Sequence, residues 1–347
     1  MSTTTPPIER IDIRTAPDDL LREVNAFSNR CRAESRPGDP PTPDEQQFAA
    51  VRSMPSFAHP SHFLIRDASG AIVASAQVNY DDGEDNQHLL WAGIHVHPDH
   101  RRRGYATALL ARVCEVAAEG SRTMLMGGTG AAIPAGAAFA ERIGATAGYR
   151  EHTNRLLLAE VHQPMIDEWI ADAATRSAGY SLVSHDGPYG DDLIERVIPV
   201  HELMNTAPRE DLAMEDWKIT RDKMEAWEHQ FFSVGNERWS LFAKHDASGA
   251  FVGFTEIAMD PSAPRTVQQM GTAVHPEHRG AALGKWLKAA MIRRILDERP
   301  DIEDIRTANA DSNAAMLAIN TELGFAPFRA HTSWQVPVET VRAYLAR

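Results

Sequence analysis

The sequence predicts a mixed α/β protein made of two copies of one domain in tandem. Three matches carry that expectation. Val96-His-Pro-Asp-His-Arg-Arg-Arg-Gly-Tyr-Ala106 returns 178 residues later as Val274-His-Pro-Glu-His-Arg-Gly-Ala-Ala-Leu-Gly284. Asp67-Ala-Ser-Gly-Ala71 returns 179 residues later as Asp246-Ala-Ser-Gly-Ala250, and Ile143-Gly144 returns 180 residues later as Leu323-Gly324. One short match is chance; three in the same order at nearly constant offset indicate a duplication. A length of 347 residues also suits two domains better than one.

Each copy reads as strand, helices, three strands around tight turns, then helix, strand, helix, strand. Asp-Ala-Ser-Gly is turn chemistry, flanked by the apolar runs 63–65 and 71–73 in the first copy and 241–243 and 251–254 in the second. Val274 ends a strand and Pro276 stops it. An amphipathic helix starts near Ala282, with Leu283, Leu287, Ala290, Met291 and Ile295 at helical spacing. The first domain is expected over 1–160, a linking helix with Pro164 in its first turn over 161–176, and the second domain over 177–347.

Composition narrows the function. Hydrophobic residues at 43% and charged residues at 24% describe a globular chain. A net charge of −13 makes nucleic acid and anionic membrane poor default partners, and neither is expected. Cys31 and Cys114 are the only cysteines; they build no metal knuckle or disulfide framework, so free thiols and no metal site are expected. Met1 to Pro7 has no basic or apolar signal segment, and no run reaches the ~18 apolar residues of a membrane span, so a soluble cytoplasmic protein is expected.

The loop between strand and helix carries the chemistry. Arg279-Gly-Ala-Ala-Leu-Gly284 runs from a strand end into a helix start. Small residues allow close backbone approach, and the first helical turn presents unpaired N–H groups, a setting suited to a pyrophosphate. The spacing is neither GxxxxGK[ST] nor GxGxxG. Arg-x-x-Gly/Ala-x-Gly/Ala after Val-x-Pro resembles the acetyl-CoA pyrophosphate loop of the GNAT acyltransferase superfamily. Asn309-x-x-x-Asn313-x-x-Met316-x-x-x-Asn320 and Leu323-Gly-Phe325 are similar to its later cofactor motif and closing helix. The chain as a whole resembles the actinobacterial two-domain GNATs, the group that includes mycothiol synthase.

That resemblance implies two tandem domains, each with a mixed, mostly antiparallel twisted sheet flanked by helices. It also implies an acetyl-CoA-dependent N-acetyltransferase. Ala273 and Val274 would bond the pantetheine arm. Arg279, Gly280, Ala281, Ala282, Leu283, Gly284 and Lys285 would hold the pyrophosphate, and Asn309, Asn313 and Asn320 would contact the acetyl end and pantetheine. The matching first-copy positions are Ile94, Val96, Arg101, Arg102, Arg103, Gly104, Tyr105 and Ala106. There the Asn309–Asn320 segment is replaced by Gly127-Gly-Thr-Gly-Ala-Ala-Ile-Pro134 and Ala140, and Glu256 by Gln77. Catalysis is therefore expected in the second copy and a structural or degenerate role in the first.

Acyl transfer to an amine needs a proton acceptor, donors for the thioester oxygen, and protonation of the leaving thiolate. Many GNATs carry a Glu six residues before the Val; this chain has Gln268, which takes no proton. Glu256 is the best replacement, His275 a weaker one. Asn320 stands where the family's leaving-group acid, a Tyr, is usual. Glu202, Asn205, Asp211 and Trp217 are candidates for holding an amine of a small molecule or peptide-like metabolite, with Trp227 as a further wall. A monomer or homodimer is expected. A non-catalytic acyl-CoA-binding protein and a protein N-acetyltransferase remain the alternatives.

Overall fold

The computed structural model describes residues 7–347. In chain order it contains β1 (Ile8–Ile11), α1 (Asp18–Ser35), α2 (Asp44–Arg52), β2 (Ser61–Arg66), β3 (Ile72–Asn79), β4 (Leu89–Val96), α3 (Tyr105–Glu119), β5 (Met124–Gly130), α4 (Pro134–Arg142) and β6 (Thr146–Leu157). There follow α5 (Gln163–Arg176), β7 (Tyr180–Asp186), α6 (Asp191–His201), α7 (Arg221–Ser233), β8 (Glu237–His245), β9 (Phe251–Met259), β10 (Thr266–Val274), α8 (Leu283–Glu298), β11 (Asp304–Ala310), α9 (Ala314–Leu323), β12 (Ala326–Pro337) and α10 (Val338–Leu345).

The chain forms two compact units. The first holds residues up to Arg150 with 209–215 and 331–347; the second holds 151–208 and 216–330. In the first, β1 to β4 pair antiparallel in sequence, β5 is parallel to β4, and the end of β12 closes on β5 from His331↔Gly130 to Pro337↔Met124. In the second, β7 to β10 pair antiparallel, β11 is parallel to β10, and the end of β6 closes on β11 from Glu151↔Ala310 to Leu157↔Asp304. Each sheet is mixed and mostly antiparallel.

These units differ from a boundary at 160. β6 and β12 are twelve residues each, twice an ordinary strand, and each gives its second half to the unit other than that of its own repeat. The linking helix α5 is no spacer: Ile166 and Trp169 are buried in the second unit's core. Segment 209–215 returns to the first unit, where Gly148 O accepts from Asp211 N at 3.0 Å.

Each sheet is covered on both faces. In the second unit, Leu283, Leu287, Met291, Ile292 and Ile295 of α8 pack with Trp239, Leu241, Ile257 and Val267, each worth ~1.5–3 kcal/mol when fully buried. The opposite face is covered by α6 and α7, through Ile194, Val197, Val200 and Met224 against Phe242 and Phe254. Both thiols are free, Cys114 buried and Cys31 half-buried. Among the described residues no helix is long and apolar enough to cross a membrane, and no group of His, Cys, Asp and Glu suits a metal.

Candidate active site

The second unit's sheet opens beside β10. β10 pairs with β11 from Thr266↔Asp304 to Gln269↔Thr307 and no further, and its register on β9 shifts between Gln269 and Thr272. A bulge of this kind bends a strand and frees its backbone. The Gln269 side chain fills the gap, donating to Glu256 O at 2.6 Å and to Thr255 Oγ1 at 3.0 Å. His275 N donates to Val252 O at 2.8 Å, so alternation turns the N–H groups of Val274 and Thr272 away from β9, toward the opening.

The loop leaving β10 keeps the strained shape that the sequence allows. Gly280 has φ +87° and Ala282, the N-cap of α8, has φ +56°; the first-unit positions Arg102 and Gly104 have +64° and +84°. Glycine thus serves the first left-handed position in one copy and the second in the other. Alternating left-handed residues turn successive N–H groups into one concave nest, which together with a helix N-terminus suits phosphate oxygens. A Cβ added at Gly280 meets nothing within 4 Å.

The charged residues of the loop have other duties. Arg279 donates to Val274 O at 3.1 Å and Thr206 Oγ1 at 3.1 Å, tying the loop to the strand end. Lys285 is committed to Glu322 at 2.6 Å and lies 4.2 Å from the Trp169 ring. A Cβ on Gly284 would make ordinary contact with Ile319 at 3.6 Å, so helix packing does not demand glycine there. His275 caps the turn after β10, accepting from Glu277 N at 3.3 Å, as His97 does from Asp99 N in the first unit. Its geometry is that of a turn residue.

Glu256 lies buried on the α6 face of the sheet at the centre of a polar cluster. It accepts from Tyr189 Oη and from Ser240 Oγ at 2.7 Å; His201 Nε2 lies 3.6 Å away and Arg238 Nε 3.7 Å away. Burial pushes this carboxyl up most strongly, yet His201, Arg238 and Tyr189 together outweigh it and hold the group down at about 2. Burial and the Glu256 charge push the Tyr189 phenol well above its ordinary value. Because Tyr189 gives its proton to Glu256, its 3.2 Å contact with His201 requires Nε2–H to donate, so the neutral form of the ring carries its lone pair on Nδ1. His201 stacks on Phe254 at 4.6 Å, and the Phe254 ring crowds Gly271 in the bulge.

A second polar cluster lies on the β11 side. Lys288 of α8, fully buried, donates to Asn320 Oδ1 at 2.8 Å, and Asn320 Nδ2 donates to Asn309 Oδ1 at 2.6 Å. Asn309 is half-buried on the part of β11 beyond its pairing with β10. Asn313 caps α9, accepting from Met316 N at 3.3 Å.

Of the proposed amine-binding residues, Glu202, Asn205 and Trp217 come together in the second unit. Asn205 holds the Trp217 backbone at 2.9 and 3.0 Å, Glu202 accepts from Ile219 N at 3.0 Å, and the Trp217 ring is exposed. Trp227 is exposed too. Asp211 does not join them; it lies in the first unit, its carbonyl accepting from Gln335 Nε2 at 2.7 Å. Glu202 is thus spent on holding a loop.

The first unit repeats the frame without these clusters. β4 parts from β5 after Trp91, β3 and β4 pair without a shift, and Arg101 donates to Val96 O at 3.2 Å while its guanidinium end pairs with Glu34. Arg103 donates to Asp99 O at 2.9 Å, and Ile94, Val96 and Tyr105 pack on the first unit's core, with Ala106 following in α3. Leu110, Thr129 and Ala140 stand where the second unit has Lys288, Asn309 and Asn320.

Tyr189, His201, Arg238 and Lys288 escaped the sequence reading. Lys288 had a visible signal, a lysine among the apolar positions of α8 and aligned with Leu110. The others are joined only by tertiary contact.

A parallel strand pair that parts after a few residues, followed by a phosphate-shaped nest at a helix start, defines an acyl-CoA-type acyltransferase fold. The chain belongs to the acetyltransferase (GNAT) family, whose model matches residues 24–144 and 200–325. It is similar to a mycothiol acetyltransferase of Salinispora arenicola, 26% identical over 84% of this chain and 86% of that protein. It is also similar to the mycothiol acetyltransferase of Salinispora tropica, 25% identical over 97% of this chain and all of that one. Among solved structures, a tandem GNAT protein from the clavulanic acid biosynthesis pathway matches with a TM-score of 0.77 and 26% identity, covering 96% of this chain and 99% of that one. The chain is a tandem two-domain acyltransferase.

Proposed function

We propose that the second unit transfers an acetyl group from acetyl-CoA to a primary amine of a small molecule or peptide-like metabolite, by direct attack in a ternary complex. The observation that carries this reading is the asymmetry of the units: both keep the loop, but only the second joins a bulged strand to buried polar clusters on both sides of the opening.

In this reading the nest of 279–284 and the α8 N-terminus take the pyrophosphate, and the β10 edge at Val274 takes the acyl arm, its N–H facing the thioester oxygen. The amine enters from the α6 side, past Met204, Trp217 and Met270. Its nitrogen attacks the carbonyl carbon, the C–S bond breaks, and the thiolate leaves with the electron pair. The amine's proton goes to His201 Nδ1. Glu256 acts behind it: a carboxyl held near 2 is a weak base, and its service is to fix Tyr189 and thereby the His201 tautomer. A cytoplasmic reaction, where acetyl-CoA is at hand, is part of this reading.

Gln268 and Asn320, which supply neither base nor acid, favour the reading of a protein that binds acyl-CoA without turnover. A thiol-release assay with acetyl-CoA over a panel of small amines and short peptides separates the two. Turnover on any amine supports transfer; tight CoA binding with no thiol released supports the binding protein.

A further inference from the structure

Lys288 is unlike the other basic residues of the second unit. It is 2% exposed, lies within the apolar face of α8, and has no carboxylate partner. Burying an ammonium with one neutral acceptor and the Phe325 ring 5.3 Å away is costly, and a hydrophobic residue of similar length fills such a site at no electrostatic cost. The first unit does so, with Leu110 at the aligned position. Burial drives the Lys288 ammonium down to about 7.

When Lys288 carries its proton, chemistry fixes the direction of the hydrogen bonds. An ammonium only donates, so the oxygen of Asn320 faces Lys288 and its NH2 faces outward. That NH2 donates to Asn309, so the oxygen of Asn309 faces inward and its own NH2 is turned away from the core. Lys288, Asn320 and Asn309 therefore form a one-way relay, from a buried cation to a half-exposed amide donor on the open part of β11. Across that opening lie the N–H groups of Thr272 and Val274. A thioester whose carbonyl oxygen sits at Val274 presents its sulfur toward the other wall, where the relay ends.

We propose that the Lys288–Asn320–Asn309 relay stabilises the thiolate of departing CoA, with an amide N–H of the asparagine pair touching sulfur and Lys288 as a positioning residue that orients and polarises that donor. This rests on the acyl-transfer reading above. As the C–S bond breaks, sulfur takes the electron pair and its negative charge is met by a preoriented donor backed by a cation; sulfur then takes its proton from solvent. No tyrosine is required.

Two measurements test it. Lys288→Met keeps length and removes charge; kcat is expected to fall about tenfold or more while KM for acetyl-CoA moves less than about threefold. Asn309→Ala, at a half-exposed site outside the apolar core, is expected to lose a similar factor. The double variant is expected to lose little more than either single one, since both cut one relay. Losses that multiply, or a kcat for either variant within about twofold of the native chain, overturn the relay. The second measurement needs no turnover and so separates failure of this inference from failure of the acyl-transfer reading. By calorimetry on the full chain, CoA is expected to bind several-fold more tightly than desulfo-CoA, which lacks the sulfur, and Asn309→Ala is expected to erase that preference by weakening CoA alone. Equal affinity of the native chain for the two ligands overturns the proposal.

Discussion

The guanidinium of Arg279 donates to the carbonyl of Val274 at 3.1 Å, and the same side chain reaches Thr206 Oγ1. The arginine that opens the phosphate loop is thereby a tie between loop and strand end. Arg279→Gln is expected to loosen the nest and raise KM for acetyl-CoA about tenfold, close to 1.4 kcal/mol, with kcat at saturation largely kept. Steady-state kinetics check this; a fall in kcat alone with unchanged KM contradicts it.

Gly284 has room for a side chain, so charge and not bulk decides substitutions there. Gly284→Ala is expected to be tolerated, with stability equal or raised by up to about 1 kcal/mol through helix propensity. Gly284→Asp places a negative charge at the helix start beside phosphate and is expected to weaken acetyl-CoA at least about tenfold. Comparing KM for the two variants decides the point.

Ala282 holds a left-handed backbone that the first unit assigns to Gly104. Ala282→Gly is expected to relieve strain and leave stability unchanged or higher by roughly 0.5–1 kcal/mol, since the lost strain outweighs the added freedom of the unfolded chain. Thermal unfolding measures it. A clear loss of stability means that the Ala282 methyl makes packing contacts that outweigh its strain.

Glu256→Gln removes the negative charge that holds Tyr189 and His201 and leaves a neutral amide oxygen as acceptor. kcat is expected to fall ~10²–10⁴-fold at neutral pH, with a smaller loss at high pH, where more amine arrives deprotonated. His201→Asn is expected to fall in the same range. Stability gives an independent reading. The folded carboxyl titrates near 2 against an unfolded value of 4.5, so its contribution is present above 4.5 and is lost as pH falls through 2. Relative to Glu256→Gln, the native chain is therefore expected to lose stability between pH 7 and strong acid, on the order of 3 kcal/mol in all, with the loss beginning below about 4.5. Denaturant unfolding at both pH values checks the sign.

Arg103→Glu combined with Gly104→Asp spoils the first unit's loop and is expected to leave most turnover intact. Loss of kcat in a protein with native circular dichroism would move catalysis to the first unit or make both necessary.

The sequence by itself determined the duplication, the order of elements in each copy, and the loop. These are local facts: turn residues, strand stops, helical spacing and glycines act over a few positions, so two copies of the same short patterns reveal the same local structure twice. It also singled out Glu256, Asn309 and Asn320, because the first copy has the uncharged Gln77, a threonine at 129 and the apolar Ala140 in their places. Tertiary structure alone decided what those residues do. Glu256 is joined to Tyr189 and His201, 67 and 55 positions away, by the packing of α6 on the sheet. The division of the chain was likewise a tertiary outcome: the place beside β5 or β11 needs an antiparallel strand of matching polarity, β6 and β12 are each long enough to serve, and nothing local in either says which half pairs with which unit. Lys288 lies between these cases. Its place on an apolar face was written in the sequence, but whether it reached solvent or stayed inside was settled by Asn320, which came from another helix to meet it.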